Sequence, residues 1–163
     1  MTEITLEEPG SREAAQLAAM LCEDDVLRGD LGMGPDRKPT ADSFLEHLAE
    51  WCASRRATTY AILADDVAVG TISISHRSPD GRSARVGYWM GSRHRRQGHC
   101  TRAFEAVLAR AAAEGIRCVS ATIAADNLPS RRLWERQGGV PSEVSEGRLR
   151  YELPVGSPAA PPP

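Results

Sequence analysis

A chain of 163 residues with 41% hydrophobic and 26% charged side chains has the size and composition of one soluble globular domain. Its formal net charge of -2 argues against a general nucleic-acid binder, which usually shows a clear basic excess. No stretch approaches the roughly 20 apolar residues of a membrane span, the start does not resemble a signal peptide, and the four cysteines lack the spacing of a zinc site. We therefore expect a reduced, cytoplasmic protein without a bound metal.

The first third of the chain predicts one strand, two helices and a long loop. Residues 4–9 alternate like a short strand, and helical spacing follows from Ser11, which the pattern suggests as an N-cap. Residues 23–39 contain three glycines and two prolines without any period, which is typical of a long loop, and such loops are more often functional than idle. Thr40 or Ser43 is expected to open the second helix.

The middle of the chain predicts three antiparallel strands joined by short turns. Residues 58–63, 67–76 and 85–90 are rich in β-branched and aromatic side chains. Asp65-Asp66 marks the first turn, and residues 78–81 (Ser-Pro-Asp-Gly) mark the second, because proline fixes φ and glycine permits a positive φ.

The last third alternates helices and strands and ends in a proline-rich tail. Apolar residues from Phe104 to Ala111 recur at helical spacing, a strand covers residues 115–124, and residues 127–139 predict a short helix. A final strand at residues 148–155 precedes a tail that cannot bury apolar surface. The fold expected is a single α/β domain over residues 1–155, with a mixed, mostly antiparallel central sheet flanked by about four helices, and a disordered tail at 156–163.

The segment RHRRQGHC, residues 93–100, carries five potentially cationic side chains around one glycine, between a strand and a helix. A helix N-terminus leaves about four backbone N–H groups without partners, and a preceding glycine lets a phosphate approach them. The Walker pattern and the dinucleotide fingerprint are both absent, so neither of those phosphate loops fits. A solvated surface loop is the alternative.

Two motifs carry a resemblance to a known family. Arg95, Gly98 and Cys100 form R-x-x-G-x-(small), and Asn127 and Ser130 begin a segment similar to N-x-x-S-x-x-x-Y. Both motifs, in this order of strands and helices, resemble the GCN5-related N-acetyltransferases (GNAT). Together with the sequence VGYWM and the acidic segment near the start, they look most like the RimJ/RimL-like subgroup of ribosomal-protein N-terminal acetyltransferases.

This resemblance implies acetyl-CoA as the cofactor and direct attack of an amine on the thioester, with the cofactor's arm lying along the VGYWM strand. The pyrophosphate would lie on the backbone amides after Gly98, with the arginines assisting. The residues implied in cofactor binding are Trp89, Met90, Arg95, Arg96, Gln97, Gly98, His99, Cys100, Thr101, Asn127, Ser130 and Trp134.

The same resemblance names catalytic candidates and two departures. The backbone N–H of Met90 would polarise the acetyl carbonyl, and His76 and Tyr88 are the candidates to accept the amine's proton. The tyrosine that often protonates the leaving thiolate is replaced by Trp134, and a frequent glutamate by Arg85. Cys100 is not expected to be a nucleophile, because the family pattern puts it under the pyrophosphate.

The acceptor implied is a primary amine, either a protein N-terminus or a small aminated metabolite or antibiotic. The acidic segment at residues 23–30 is expected to border it and to hold a cationic group. A non-catalytic acyl-CoA-binding or regulatory domain is the rival function. Nucleic-acid and membrane partners are not expected, and a homodimer is left open.

Overall fold

The computed structural model of the chain describes residues 1–156, so the tail predicted to be disordered lies outside the described residues except for Gly156. The strands are β1 (Ile4–Glu7), β2 (Thr58–Ala64), β3 (Val67–Ser75), β4 (Ser83–Met90), β5 (Cys118–Ala124), β6 (Val140–Ser145) and β7 (Arg148–Pro154). The helices are α1 (Ser11–Glu23), α2 (Asp25–Asp30), α3 (Ala41–Arg55), α4 (His99–Ala113) and α5 (Leu128–Arg136). The predicted α/β class and the predicted order of elements are confirmed, with one helix and one strand added.

All seven strands form one sheet in the order β1-β2-β3-β4-β5-β7-β6. Every neighbouring pair is antiparallel except β4 and β5, which run parallel. The predicted meander of three strands is therefore β2-β3-β4, and its first turn places both Asp65 and Asp66 at positive φ. Such a two-residue turn matches the right-handed twist of the strands it joins.

Alternation along the strands divides the sheet into two unlike faces. Ile72 and Ile74 of β3 and Val86 of β4 enter the main hydrophobic core under α4 and α5. On the opposite face a smaller cluster of Leu17, Ala61, Leu63 and Ala68 lies under α1. The consequence for function is that the main core lies on one side of β4, while the other side is left with thinner cover.

The helix beginnings follow local capping chemistry. The cap of α1 is Gly10, whose N–H donates to Glu13 Oε2 at 3.0 Å, so the expected cap Ser11 is instead the first helical residue. Thr40 caps α3 through a reciprocal pair of bonds with Ser43, at 3.1 and 2.9 Å. None of the residues of α3 is buried.

Two elements were not predicted. The six-residue α2 occupies part of the expected loop at 23–39 and begins at Asp24, whose side chain accepts the N–H of Leu27 at 3.0 Å. It is too short to show a hydrophobic period. The strand β6 pairs only with β7, and all its residues are exposed, so it has no buried face to pattern.

Candidate active site

A gap opens between β4 and β5 at the centre of the sheet. The two strands pair only from Ser83 with Cys118 to Arg85 with Ser120. Beyond Arg85 the remainder of β4 has a neighbour only on its β3 side. A strand edge of this kind presents unpaired backbone groups to an extended ligand.

The backbone groups that face this gap belong to Tyr88 and Met90. Gly91 N–H donates to Val69 on β3 at 2.9 Å, and bonding to one neighbour alternates along an antiparallel strand. Trp89 is therefore bonded to β3, while Tyr88 and Met90 point their N–H groups to the gap. This corrects the expectation for Trp89: its backbone belongs to β3, and its side chain lies on the thinly covered face of the sheet.

The basic loop, residues 93–98, follows directly at the end of this gap and leads into α4. A single 3-10 turn at Ser92–His94 leads into Arg96 at φ 61° and Gly98 at φ 77°, and α4 begins at His99. Gly98 is the N-cap of α4, and no side chain caps the helix. The first amides of α4 are therefore open to a ligand, and nothing lies within 4 Å of the position where a Cβ on Gly98 would sit.

Acidic side chains from the α2 segment hold this loop. Arg95 forms an ion pair with Asp30 at 2.8 Å, and its Nε donates to the Met90 carbonyl at 3.2 Å. Asp24 accepts both the N–H of Ser92 at 2.7 Å and its hydroxyl at 2.8 Å. Burial acts to raise the pKa of Asp24, but these hydrogen bonds and the Arg95 charge outweigh it and hold the pKa below the usual value. Asp24 and Asp30 thus contact the basic loop. The sequence had predicted that their acidic segment would instead hold the acceptor's amine.

His99 turns its imidazole inward. The side chain is 5% exposed, with Nε2 at 3.1 Å from Gln97 Oε1 and Nδ1 at 3.4 Å from Arg102. Burial, followed by the charges of Arg102 and His94, lowers the pKa of His99. A neutral, buried ring does not hold a phosphate, so His99 offers only its backbone amide.

Cys100 and Thr101 lie in the first turn of α4, with their amides beside that of His99. The Cys100 side chain packs against the main core, and burial raises the pKa of its thiol to about 12. A helix N-terminus ordinarily lowers a thiol pKa. Here burial wins, which agrees with the expectation that Cys100 is not a nucleophile.

Tyr88 and Trp134 meet on the core side of the gap. Both pack edge-on against Phe104, with ring centroids 6.2 Å and 5.0 Å from it. Tyr88 Oη and Trp134 Nε1 are buried, and neither has a hydrogen-bond partner among residues 1–156. Burial raises the pKa of Tyr88 to about 12, although the nearby Ser130 and Trp134 act in the opposite direction. A phenol with this pKa keeps its own proton at neutral pH, which favours a donor role for Tyr88 over the predicted role of proton acceptor.

The second motif extends from the N-cap of α5 at Asn127 to Trp134 near the end of that helix. Asn127 is the N-cap, with its side chain accepting the N–H of Ser130 at 3.4 Å. Trp134 is fully buried. A Cβ on Gly139 would approach the Trp134 carbonyl to 2.8 Å, so a larger residue at this position would require the chain to shift.

His76 lies at the other end of β4 from the gap's backbone donors. It follows Ser75, which pairs with Arg85, and its Nδ1 lies 2.9 Å from the Ser75 hydroxyl. Burial, then the charges of Arg85 and Arg55, lowers the pKa of His76. Met90 lies five residue steps along the strand from Arg85, which is about 17 Å. The structure does not bring His76 together with Met90.

A second feature, the α3 groove, lies on the thinly covered face and reaches the gap. It is a cavity of about 530 Å³ between α3 and the sheet, lined by Phe44, Trp51, Thr71, Ser73, Arg85 and Trp89 among others. The groove was not predicted from the sequence. The signal was present in residues 71–75 (TISIS), where isoleucines directed to the core alternate with hydroxyls on the other face.

Two features are absent from residues 1–156. No helix there is long and apolar enough to cross a membrane. No group of three or more His, Cys, Asp or Glu side chains in that range is arranged to hold a metal ion.

Comparisons with known proteins give one matching family model and several solved structures of the same fold. The family model "Acetyltransferase (GNAT) domain" matches residues 3–140. Among solved structures, Mycobacterium smegmatis RimJ in complex with CoA-disulfide has a TM-score of 0.79 at 19% identity, covering 98% of this chain and 84% of that one. RimL, the ribosomal L7/L12 acetyltransferase in complex with coenzyme A, has a TM-score of 0.77 at 16% identity over 97% of both chains. The microcin C7 self-immunity acetyltransferase MccE, in complex with acetyl-CoA and AMP, has a TM-score of 0.76 at 18% identity, covering 94% of this chain and 93% of that one. These likenesses show the shared fold, and no curated protein matches the sequence.

Proposed function

Because the chain belongs to the GNAT acetyltransferase family, we propose that it takes acetyl-CoA into the β4–β5 gap and transfers the acetyl group directly to a primary amine. The acceptor is a protein N-terminus or a small aminated metabolite or antibiotic. The observation that carries the proposal is the continuity of three features: the unpaired edge of β4, the Gly98 loop that follows it, and the open N-terminus of α4.

The Gly98 loop fits a pyrophosphate. The amides of His99, Cys100 and Thr101 lack helical partners, Gly98 leaves the space above them open, and the exposed Arg96 adds charge. Arg95 has to leave its ion pair with Asp30 to reach the phosphates. Its contribution to the binding free energy is therefore the difference between the two ion pairs. The fit rests mainly on the backbone.

The unpaired edge of β4 fits the arm that ends in the thioester. Acetyl-CoA, when bound, supplies an acyl group activated by its thiol leaving group. Met90 N–H faces the gap and donates to the acyl oxygen as negative charge develops there, an effect worth roughly 3 kcal/mol for one such donor. Tyr88 supplies the neighbouring backbone N–H.

Tyr88 also supplies the hydrogen-bond donor that the sequence left vacant. Its phenol lies beside Trp134, the position that holds a tyrosine in many relatives, and a pKa of about 12 keeps it protonated. The phenol donates a hydrogen bond to the departing sulfur, and Ser130 is placed next to it. A donor from β4 thus replaces the usual donor from α5.

The amine approaches from the α3 groove, on the opposite face of β4 from the Tyr88 phenol. Its nitrogen would bond to the acyl carbon as the carbon–sulfur bond breaks. The nitrogen's proton would leave through water, because the groove is open to solvent, and the thiolate released would accept the hydrogen bond of the Tyr88 phenol. His76 is too far along β4 from Met90 to receive that proton directly.

The test is release of free thiol from acetyl-CoA in the presence of a panel of primary amines, with the acetylated product identified by mass spectrometry. Thiol release that requires both the amine and the protein supports the proposal. Binding of acetyl-CoA with no amine-dependent release across the panel would instead establish a non-catalytic acyl-CoA-binding domain.

A further inference from the structure

We propose that the acceptor bound in the α3 groove is a small amine that carries an oxyanion, a carboxylate or a phosphate, on an aromatic or apolar body. This inference rests on the proposed function and names the substrate class of the same site. Three independent properties of the groove support it: its floor, its walls and its charge.

The floor of the groove is made of hydroxyl groups. Thr59, Thr71, Ser73 and Ser75 each have at most 8% of their surface exposed, and all lie on the sheet face opposite the isoleucine core. Thr59 and Ser73 already hydrogen-bond to each other at 2.7 Å. Hydroxyls donate as well as accept, so this floor can bind an anion without adding negative charge of its own.

The walls of the groove are aromatic. Phe44 and Trp51 come from α3 and Trp89 from β4. Trp51 is 38% exposed, and α3 has no buried residue, so this aromatic surface is only partly covered by the protein itself. A cavity of about 530 Å³ is in the range that accepts a small molecule with one ring.

The charge of the groove is positive and uncompensated. Its lining includes Arg85 and Arg148 but no Asp or Glu. Within residues 1–156 neither guanidinium forms an ion pair, whereas Arg150 on the same strand as Arg148 is paired with Glu152 at 3.0 Å. Guanidinium groups bind carboxylates and phosphates through paired hydrogen bonds.

The sheet register places these two arginines on either side of β5. Arg85 lies opposite Ser120, and Arg148 lies opposite Ala124, so both occupy the groove's face of the sheet. An oxyanion in the groove is within reach of long side chains from both sides. The same pair of charges disfavours polycationic amines, because an additional ammonium would meet two cations, while Glu152 on the same face is already paired with Arg150.

The test uses paired acceptors with and without the oxyanion: L-phenylalanine against L-phenylalaninamide, and tyramine phosphate against tyramine. Rates are compared at equal concentrations of the unprotonated amine, because a carboxylate also makes the neighbouring amine more basic. We expect kcat/KM for the anionic member of at least one pair to be three- to tenfold or more above that of its neutral partner, the order expected for one partly exposed charge-assisted contact. The pair that shows the preference identifies the oxyanion as carboxylate or phosphate.

Variants connect the preference to the groove. In Arg85→Ala and Arg148→Ala the anionic-to-neutral ratio should fall toward one, whereas Arg136→Ala, an exposed arginine at the end of α5 on the other side of the sheet, should keep it. A second readout is independent of turnover: quenching of tryptophan fluorescence by the anionic compound, without acetyl-CoA, should weaken in Arg85→Ala.

The outcomes separate this inference from the proposed function. Equal acetylation of neutral and anionic members, faster acetylation of an uncharged peptide amine, or a ratio unchanged in Arg85→Ala/Arg148→Ala overturns the oxyanion inference while acetyl transfer stands. No thiol release with any amine overturns both.

Discussion

The hydroxyl of Tyr88 and the indole nitrogen of Trp134 lie together inside the protein, and neither has a hydrogen-bond partner among the described residues. Buried polar atoms without partners cost about 1–3 kcal/mol each, so proteins seldom keep them without use. Tyr88 belongs to the part of β4 that borders the β4–β5 gap, where a leaving thiol is proposed.

Tyr88→Phe should separate catalysis from stability. Removing a hydroxyl without partners should leave the melting temperature unchanged or raised, while kcat should fall roughly tenfold, about 1.4 kcal/mol, with KM for acetyl-CoA little changed. The matched control is Tyr151→Phe, since the buried Tyr151 hydroxyl donates to Glu135 at 2.6 Å away from the gap. That variant should lose about 1 kcal/mol of unfolding free energy and keep its kcat. Equal kcat in Tyr88→Phe and wild type would remove the phenol from the mechanism.

Gly98→Ala should weaken acetyl-CoA binding beyond its effect on the fold. Gly98 and Gly115 flank the two ends of α4, at φ 77° and 90°, and neither has an atom within 4 Å of the position that an added methyl group would occupy. Alanine at either site should therefore cost about 1–2 kcal/mol of stability. Only Gly98→Ala should also raise the Kd for acetyl-CoA, by about tenfold or more, in a calorimetric titration. Arg93→Ala should raise the Kd less than Gly98→Ala; the reverse order contradicts the backbone-centred site.

Asp30→Asn should strengthen cofactor binding. The substitution releases Arg95 from its ion pair, which is partly exposed on both sides. Exposed pairs contribute about 0.2–1 kcal/mol, so the Kd for CoA should fall roughly 1.5- to fivefold at low salt and converge with wild type at high salt. Asp36→Asn, an exposed acid on the neighbouring loop, is the control and should change nothing. Weaker binding in Asp30→Asn would mean that the pair orders the loop for the cofactor.

Cys100→Ala should remain active. Because the thiol pKa is raised to about 12, almost none of the thiolate exists between pH 7 and 9, and no acyl-enzyme should form. Intact-mass measurement after acetyl-CoA alone should show the unmodified protein for wild type and variant alike. A stable acetyl adduct that disappears in Cys100→Ala would replace direct attack with a covalent route.

The parts predicted from the sequence are those with a period or a motif. The helical spacing of apolar residues predicts the core helices, and their alternation with polar residues predicts the strands. The spacing of the motif residues predicts the Gly98 loop. The helix α2 and the strand β6 were missed, because six residues are too few to show a helical period and an exposed edge strand has no apolar face.

The sequence predicted where the backbone of the candidate site lies better than it predicted which way the side chains point. The resemblance located the gap and the loop, but the direction of a side chain depends on packing that is remote in sequence. Asp30 reaches Arg95 across 65 positions, and nothing local in the chain encodes that contact. The groove floor could have been found, since TISIS is a strand whose polar residues are buried.

The helix α3 is capped at both ends, and its inner face is only half-buried. Thr40 and Ser43 close its first turn, and Arg56 closes its last in a left-handed conformation, yet no residue between them is buried. By contrast, α4 buries five side chains, among them Phe104. A helix capped at both ends and weakly packed along its length moves as a unit at small energetic cost, so its amides should exchange with solvent deuterium earlier than those of α4. Under the proposed function, the width of the acceptor's entrance is therefore adjustable, whereas the cofactor's side is held in place by the core packing of α4.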